Sequence, residues 1–359
     1  MELQNFIDSN KDYISIFKTE GLQVKKYNQL SLIKYKYNYN NFNTDWKRYC
    51  RGCIINTETN KLVCVPPKKS VQIESNTNIP VTDIKVENLI DGTMINLFYY
   101  DNEWKISTRS NIGGNNKWDK SSFKKLFTEC GGELINYNDL DKGLSYSFVL
   151  LHTNNRNVST ITKNSLVLVD VFNLQKLKYE NVSNYKTIGD NITISKPILI
   201  TTNIISFLED LRNSHYDYNW KGIIIKHNNN RYKYINPSFI YVHNLKINSD
   251  NYASIFIQLY KKKKVKTYLK YFPEYTSIFQ KYNAILNIIK KELLEGYSKL
   301  FITKTIQLED IPFQFKPIVY DLHKHHLDKR IKINFRYINY YISTLNINKL
   351  LFIFNYYKS

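Results

Sequence analysis

Near residue 250 the apolar residues of this 359-residue chain change their spacing. Upstream, short apolar runs are separated by turn-forming residues. Downstream, apolar residues recur every third or fourth position. Val265, Tyr268, Leu269 and Phe272 share one helical face, and Tyr275, Ile278, Phe279, Tyr282, Ile285, Leu286, Ile289 and Leu293 continue it. Pro273 suits the start of the second helix or a kink in it. The spacing predicts a strand-rich domain over residues 1–250 and a helical domain over 251–359.

Within the first domain the punctuation marks out the elements. A short helical opening (LQNFIDSNKDYISIF) precedes tyrosine-rich strands. Cys50 to Ser70 is a hairpin signal, two apolar runs around a polar turn with Pro66-Pro67 ending the second. A loop follows near residues 75–80. Lys85 to Gly114 reads as a strand, a tight Asp91-Gly92 turn, a second strand, an aromatic hairpin and a polar segment carrying Arg109. Glycine accepts positive φ without steric cost, which suits such a turn. Phe123, Leu126 and Phe127 have helical spacing with Gly131 as the stop. The segments around 143–159 and 164–174 read as buried strands, IISFLEDLRNS as a helix, and residues 220–239 as a hairpin turning on Asn228 to Asn230.

Charge restricts the partner. The chain has 51 lysines and arginines against 31 acids, a net +20. Residues 251–359 hold 19 basic and 7 acidic residues, so +12 lies there and +8 in the first 250. Such a surplus, with 30 tyrosines and 19 phenylalanines, favours a polyanionic partner, nucleic acid before an anionic membrane. Lys261, Lys262, Lys263 and Lys264 read as a solvated helix face or a patch for the nucleic-acid backbone.

Four cysteines make no disulfide framework for a chain this long. Cys50 and Cys53 have the spacing of half a zinc site, but no second pair follows, so no metal site is expected. His323, His325 and His326 cluster without a suitable acid arrangement and read as part of an exposed helix. The last 24 residues or so read as a closing amphipathic helix plus a buried tail. Neither a secretory signal nor a run of about eighteen apolar residues is found, so a location inside the cell is expected.

The order of six segments resembles the nucleotidyltransferase domain of phage-type, ATP-dependent RNA ligases, and more distantly the ligase and mRNA-capping superfamily. The resemblance covers roughly residues 45–245. YCRGCIIN, with Arg51, is similar to the Arg-Gly strand of those enzymes. VPPKKS places Lys68 or Lys69 where they carry a phosphate-facing lysine. LIDGTMINLFYYDNEWKISTRS resembles the Lys-x-Asp-Gly motif and its hairpin, with Asp91, Gly92 and then Arg109. YSFVLLHTNNRNV, with Ser147 and Phe148, resembles the aromatic-Glu-Phe-Val strand. KGIIIK, with Lys221, and RYKYIN, with Lys233, resemble the last two motifs. The resemblance implies an α+β fold, a two-sheet antiparallel nucleotidyltransferase domain followed by an all-α C-terminal domain. Composition and motif style also resemble proteins of large cytoplasmic DNA viruses, which implies the host cytoplasm.

In that family a lysine amine attacks the α-phosphorus of ATP, with Mg²⁺ and basic side chains stabilising the phosphates. Four positions depart from what this needs. Leu89 stands at the nucleophile position, Ser147 replaces a glutamate, Lys221 replaces a metal-binding glutamate with the opposite charge, and Ile235 replaces a second lysine. Lys85 lies about 13 Å upstream of Leu89 along a strand, whereas attack needs a nitrogen within about 3–3.5 Å of phosphorus. Lys105 and Lys221 are not excluded in this way. The expectation is a catalytically degenerate fold that binds nucleotide or RNA ends, RNA rather than DNA, and needs no cofactor. The phosphate site would be built from Arg51, Lys68, Lys69, Asp91, Gly92, Arg109, Ser147, Phe148, Lys221 and Lys233. One alternative is an active RNA ligase, using ATP and Mg, whose lysine comes from another strand, with Lys221 as the substitute. Another is a structural nucleic-acid-binding protein with a vestigial pocket.

Overall fold

The computed structural model describes residues 1–36, 38–74, 77–118, 121–186, 188–189, 192–247, 249 and 251–357. Part of the loop expected near 75–80 and the expected boundary residue 250 lie outside them. The chain divides into two compact units, Met1–His243 and Asn244–Ser359, within the helix Pro237–Leu245.

The first unit mixes helices with mainly antiparallel sheets, and among the described residues it holds three large sheets where two were expected. The outer sheet is a four-strand meander: Leu22–Tyr27, Leu30–Tyr35, Arg51–Asn56 and Lys61–Cys64. Two opening helices, Glu2–Ser9 and Tyr13–Thr19, cover it by burying Leu3, Ile7, Tyr13 and Phe17 against Tyr49, Cys50 and Cys53. The central six-stranded sheet is built on Thr93–Tyr100, Glu103–Ser107, Leu144–Leu151 and Ser165–Asn173. One of its faces packs Ile95, Tyr146, Phe148 and Leu168 against the helix Phe123–Glu129. The third, or cleft, sheet orders Val71–Gln72, Asn230–Ile235, Gly222–His227 and Lys85–Asn88. Its Val86, Ile223, Ile225 and Tyr234 pack against Ile204, Leu208 and Leu211 of the helix Ile204–Asn213. The hairpin of this sheet turns at Asn228, φ 51°, as the run of asparagines predicts.

Asp91-Gly92 is not a hairpin turn. Lys85–Asn88 pairs in the cleft sheet and Thr93–Tyr100 in the central sheet, so the chain changes sheets there. Gly92 is not in the positive-φ region. Glycine is needed for space instead, because a Cβ would meet the Leu150 carbonyl at 2.5 Å.

The second unit is helical throughout its regular elements among the described residues, with Tyr252–Lys261, Val265–Tyr271, Thr276–Tyr297, Lys316–Lys329, Phe335–Thr344 and Ile347–Asn355 as its α-helices. Phe256, Tyr268, Phe279, Leu286 and Phe354 are among its buried residues. The expected closing helix and tail are two helices. The four-lysine run is a helix end and turn, not a helix face. Lys261 donates to the Leu345 carbonyl, Lys263 has φ 56°, and Lys262, Lys263 and Lys264 are exposed. No described helix is long and apolar enough to cross a membrane.

Candidate phosphate-binding site

Period-two alternation decides which side chains share a face. In the cleft sheet Ile224 lies opposite both Glu87 and Lys233, so these three project away from the apolar face that meets the helix. Lys226 and Arg231 form the next pair on that polar face. In the central sheet Ser147 lies opposite Asn96 and Asp170. The two polar faces meet. Lys226 Nζ donates to the Val169 carbonyl at 2.7 Å and lies 2.9 Å from Glu87 Oε2 and 3.1 Å from Asp170 Oδ1. Arg231 pairs with Asp170, and Ser195 donates to Glu87.

Arg51 and Arg109 are brought together by one glycine. Gly52 sits at a bulge in the outer sheet with φ 99°, and a Cβ there would come within 2.8 Å of Arg109 Cα. Arg109 lies over Tyr35, its Cζ 4.3 Å from the ring centroid, and donates to the Tyr35 carbonyl at 3.1 Å. Lys69 Nζ is 4.6 Å from the Phe42 centroid and 5.4 Å from that of Tyr35. Burial, then Arg51, Arg109 and Arg48, pushes the Lys69 amine below its ordinary range. For Arg51 burial again lowers the pKa, opposed by Tyr35 and reinforced by Arg109 and Arg231. Lys233 is lowered from 10.5 to about 8, by burial first and then by Lys69, Arg51 and Lys221. All four are partly buried, and among the described residues none has a carboxylate within ion-pair distance. Like charges crowded in a low-dielectric site disfavour the empty protein. An anion would relieve them.

The other expected positions are placed differently. Lys68 is buried and neutralised by Asp45, with Asn230 Oδ1 at 2.8 Å, so Lys69 is the lysine of that pair that joins the cations. Phe148 projects to the opposite face of the central sheet, edge-on to Phe127, and cannot touch a ligand in the cleft. Ser147 is fully enclosed and donates to Asn96 Oδ1 at 2.9 Å. Asp91 accepts from the backbone of Val158 at 2.9 Å and Ser159 at 3.1 Å, and its other oxygen accepts from Lys221 Nζ at 3.1 Å. Lys221 is therefore a paired cation, not a free one. Gly222 beside it has φ 137°, and a Cβ there would lie 2.1 Å from the Tyr234 carbonyl oxygen.

Leu89 continues the cleft-sheet ladder through its N–H to the Gly222 carbonyl at 2.9 Å. Its side chain lines a cavity of about 370 Å³ together with Asp91, Lys221, Leu151 and Thr160. Lys105 pairs with Glu103 and lines a separate cavity of about 610 Å³ with Trp104 and Tyr137. The four cysteines are free and buried, and burial pushes the Cys64 and Cys130 thiols up to about 12. His323 stacks on Phe301 at 3.9 Å, and His325 Nδ1 lies 2.8 Å from Tyr337 Oη. Among the described residues no group of three His, Cys, Asp or Glu side chains could hold a metal ion.

Sequence reasoning missed Lys34, Arg48 and Arg231, whose charges bear on this group. For Lys34 a signal existed. It stands next to Tyr35 on the strand that must pair with the Arg51 strand.

Among solved structures this chain is similar to an RNA ligase and to a protein described as a DNA ligase. One is a point mutant of the Naegleria gruberi RNA ligase with ATP and Mn, 11% identical, covering 45% of this chain and 51% of that one, with a TM-score of 0.35. Another is an Aquifex aeolicus protein described as a "putative ATP-dependent DNA ligase", 14% identical, covering 82% and 78%, with a TM-score of 0.43. A curated relative, the "Immediate-early protein ICP-46 homolog" of Invertebrate iridescent virus 3, is 24% identical over 235 residues, which is 60% of this chain. The chain spans about half the length of that relative, 50% of it. No family model matches the chain.

Proposed function

We propose that the Met1–His243 unit binds the phosphates of a nucleotide or of a 5′-phosphorylated RNA end through Arg51, Lys69, Arg109 and Lys233, and that it needs no divalent cation. The observation that carries this reading is the group of four partly buried cations that, among the described residues, have no acidic partner. Carboxylates that would hold Mg²⁺ beside a phosphate are instead saturated by Lys226, Arg231 and Lys221. Leu89 offers no nucleophile, so the bound phosphate is held and not transferred. The resemblance of the six motifs to RNA ligases favours RNA over DNA in this reading. The exposed Lys262, Lys263 and Lys264 supply backbone contacts from the helical unit. Lys261 does not, because the Leu345 carbonyl engages it. The iridovirus relative supports a viral-type chain, and the reading places its role in the host cytoplasm.

Titration calorimetry with ATP and with 5′-phosphorylated RNA in EDTA tests the reading. Binding should persist in the chelator, and dependence on Mg²⁺ would overturn it. If Lys221→Glu and Lys233→Glu leave RNA binding intact while neutralising Lys261 to Lys264 abolishes it, the protein is a structural nucleoprotein with a vestigial pocket.

One observation favours a second reading. Lys233 has no ion-pair partner among the described residues and its amine is lowered to about 8, so a sizeable neutral fraction exists near physiological pH. In an active enzyme with ATP and Mg, that nitrogen would form a bond to the α-phosphorus. Pyrophosphate would leave and the amine proton would pass to solvent. Incubation with α-labelled ATP or GTP separates the readings. Label that survives denaturation, and disappears in Lys233→Met, identifies the enzyme. No covalent label is the outcome expected here.

A further inference from the structure

Outside the four-cation group, Lys25 and Lys34 converge on one loop. Lys34 Nζ donates to Ser110 Oγ at 2.9 Å, and Lys25 Nζ donates to the Ser110 carbonyl at 3.2 Å. Ser110 follows Arg109, so three cationic side chains gather around two consecutive residues. Burial, then the charges of Arg109 and Lys25, lowers the Lys34 amine, and among the described residues no acid offsets them.

The register of the outer sheet extends this group into the cleft. Lys34 lies directly opposite Arg51. Lys25 pairs with Leu32, two residues from Lys34, which makes Lys25 and Lys34 diagonal neighbours about 7–8 Å apart at Cα. Like charges at such cross-strand positions destabilise a sheet. The same opposition runs onward, from Arg109 and Arg51 to Lys69, and from Lys69 and Arg51 to Lys233. Mutual repulsion therefore links the partly buried Lys233, through Lys69, Arg51, Arg109 and Lys34, with the exposed Lys25 on the edge strand. At the outer end of this series Tyr27 is partly exposed beside Lys25, whose Nζ is 5.7 Å from the ring centroid.

A lone nucleotide would fill the inner part of this series and leave the outer lysines unused. A polyanion with evenly spaced charges and flat, stackable bases matches its whole length. We propose that Lys25 and Lys34 form a track along which a single-stranded polynucleotide lays its backbone as it leaves the pocket, its terminal phosphate being held by Arg51, Lys69, Arg109 and Lys233. The inference rests on the phosphate-binding reading above. It adds a partner class, single-stranded nucleic acid, and a path.

The test compares ATP with a 5′-phosphorylated single-stranded RNA of about ten nucleotides, each titrated over a series of salt concentrations. Wild-type protein should bind the RNA more tightly than ATP. In the double variant Lys25→Gln/Lys34→Gln the RNA affinity should fall about tenfold or more, and the slope of log affinity against log salt should lessen by about 1.4, or about 0.7 per lost phosphate contact. ATP affinity should fall much less than RNA affinity, because Lys34 only adjoins the group that holds its phosphates. The ligand-free variant should melt no lower than wild type, because repulsion has been removed. Unchanged RNA affinity, an unchanged salt slope, or an equal loss for ATP would each overturn the track. If wild type binds ATP in an Arg51-dependent way but RNA no more tightly, the track alone fails. If it binds neither, the pocket reading fails with it.

Discussion

Replacing Lys226 by methionine should cost the first unit about 3–5 kcal/mol, the scale for breaking a buried ion pair from one side. The Lys226 ammonium carries three protons and meets three oxygens at 2.7–3.1 Å: the Val169 carbonyl, Glu87 and Asp170. Its side chain is 14% exposed, and those of Glu87 and Asp170 are 5% and 4% exposed. Methionine would keep the stem and remove the charge. Glu87 would retain Ser195, and Asp170 would retain Arg231, but two enclosed carboxylates would face one another with one cation between them. Urea unfolding measures the loss, and a change below about 1 kcal/mol would show that water screens the network.

Arg51→Ala should weaken phosphate binding about ten- to a hundredfold, the loss of one charge-assisted contact of about 1.5–3 kcal/mol. Because the wild-type guanidinium is opposed by Arg109 and Arg231, the ligand-free variant should not unfold more easily on electrostatic grounds. Lys233 gives the same site a pH signature. Its folded-state pKa of about 8 lies below the ordinary 10.5, so below pH 8 the amine is charged in both folded and unfolded chains and its crowding opposes folding. Between about 8 and 10.5 the folded chain releases the proton that the unfolded chain keeps, and stability rises with pH. Anion binding moves the other way, because it needs the protonated amine. Affinity for ATP should therefore fall as pH passes about 8 while the ligand-free protein becomes harder to unfold. Both trends should lessen in Lys233→Met, with the lowered Lys69 left to carry the remainder, and a variant that kept them in full would assign the titration to another group.

Much of the local architecture could be read from residues close together in sequence. The asparagine run fixes a two-residue hairpin, Phe123, Leu126 and Phe127 fix a short helix, and apolar spacing fixes the helical unit. Gly52 and Gly222 stand where two backbones touch, a contact that only the fold reveals. Sheet membership was not legible. Asp91-Gly92 has hairpin chemistry but joins strands of different sheets, since nothing local tells a strand which partner it will find. Charge partners were equally hidden. Lys68 and Lys69 are adjacent, yet one is neutralised by Asp45 and held by Asn230, while the other stays among cations. Phe148 and Ser147 are likewise adjacent and point to opposite faces, so at most one could enter the cleft.

The passage from cleft sheet to central sheet takes only Leu89 to Gly92, and Asp91 fastens it to Lys221 on one side and to Val158 and Ser159 on the other. A second fastening, Lys226 with Glu87 and Asp170, ties the same two sheets. Two layers pinned at two separate places keep only rotation about the line joining the pins. A gap so held should change width little when a guest enters it, and hydrogen exchange along Lys85–Asn88 and Gly222–His227 should look alike whether the gap is filled or empty.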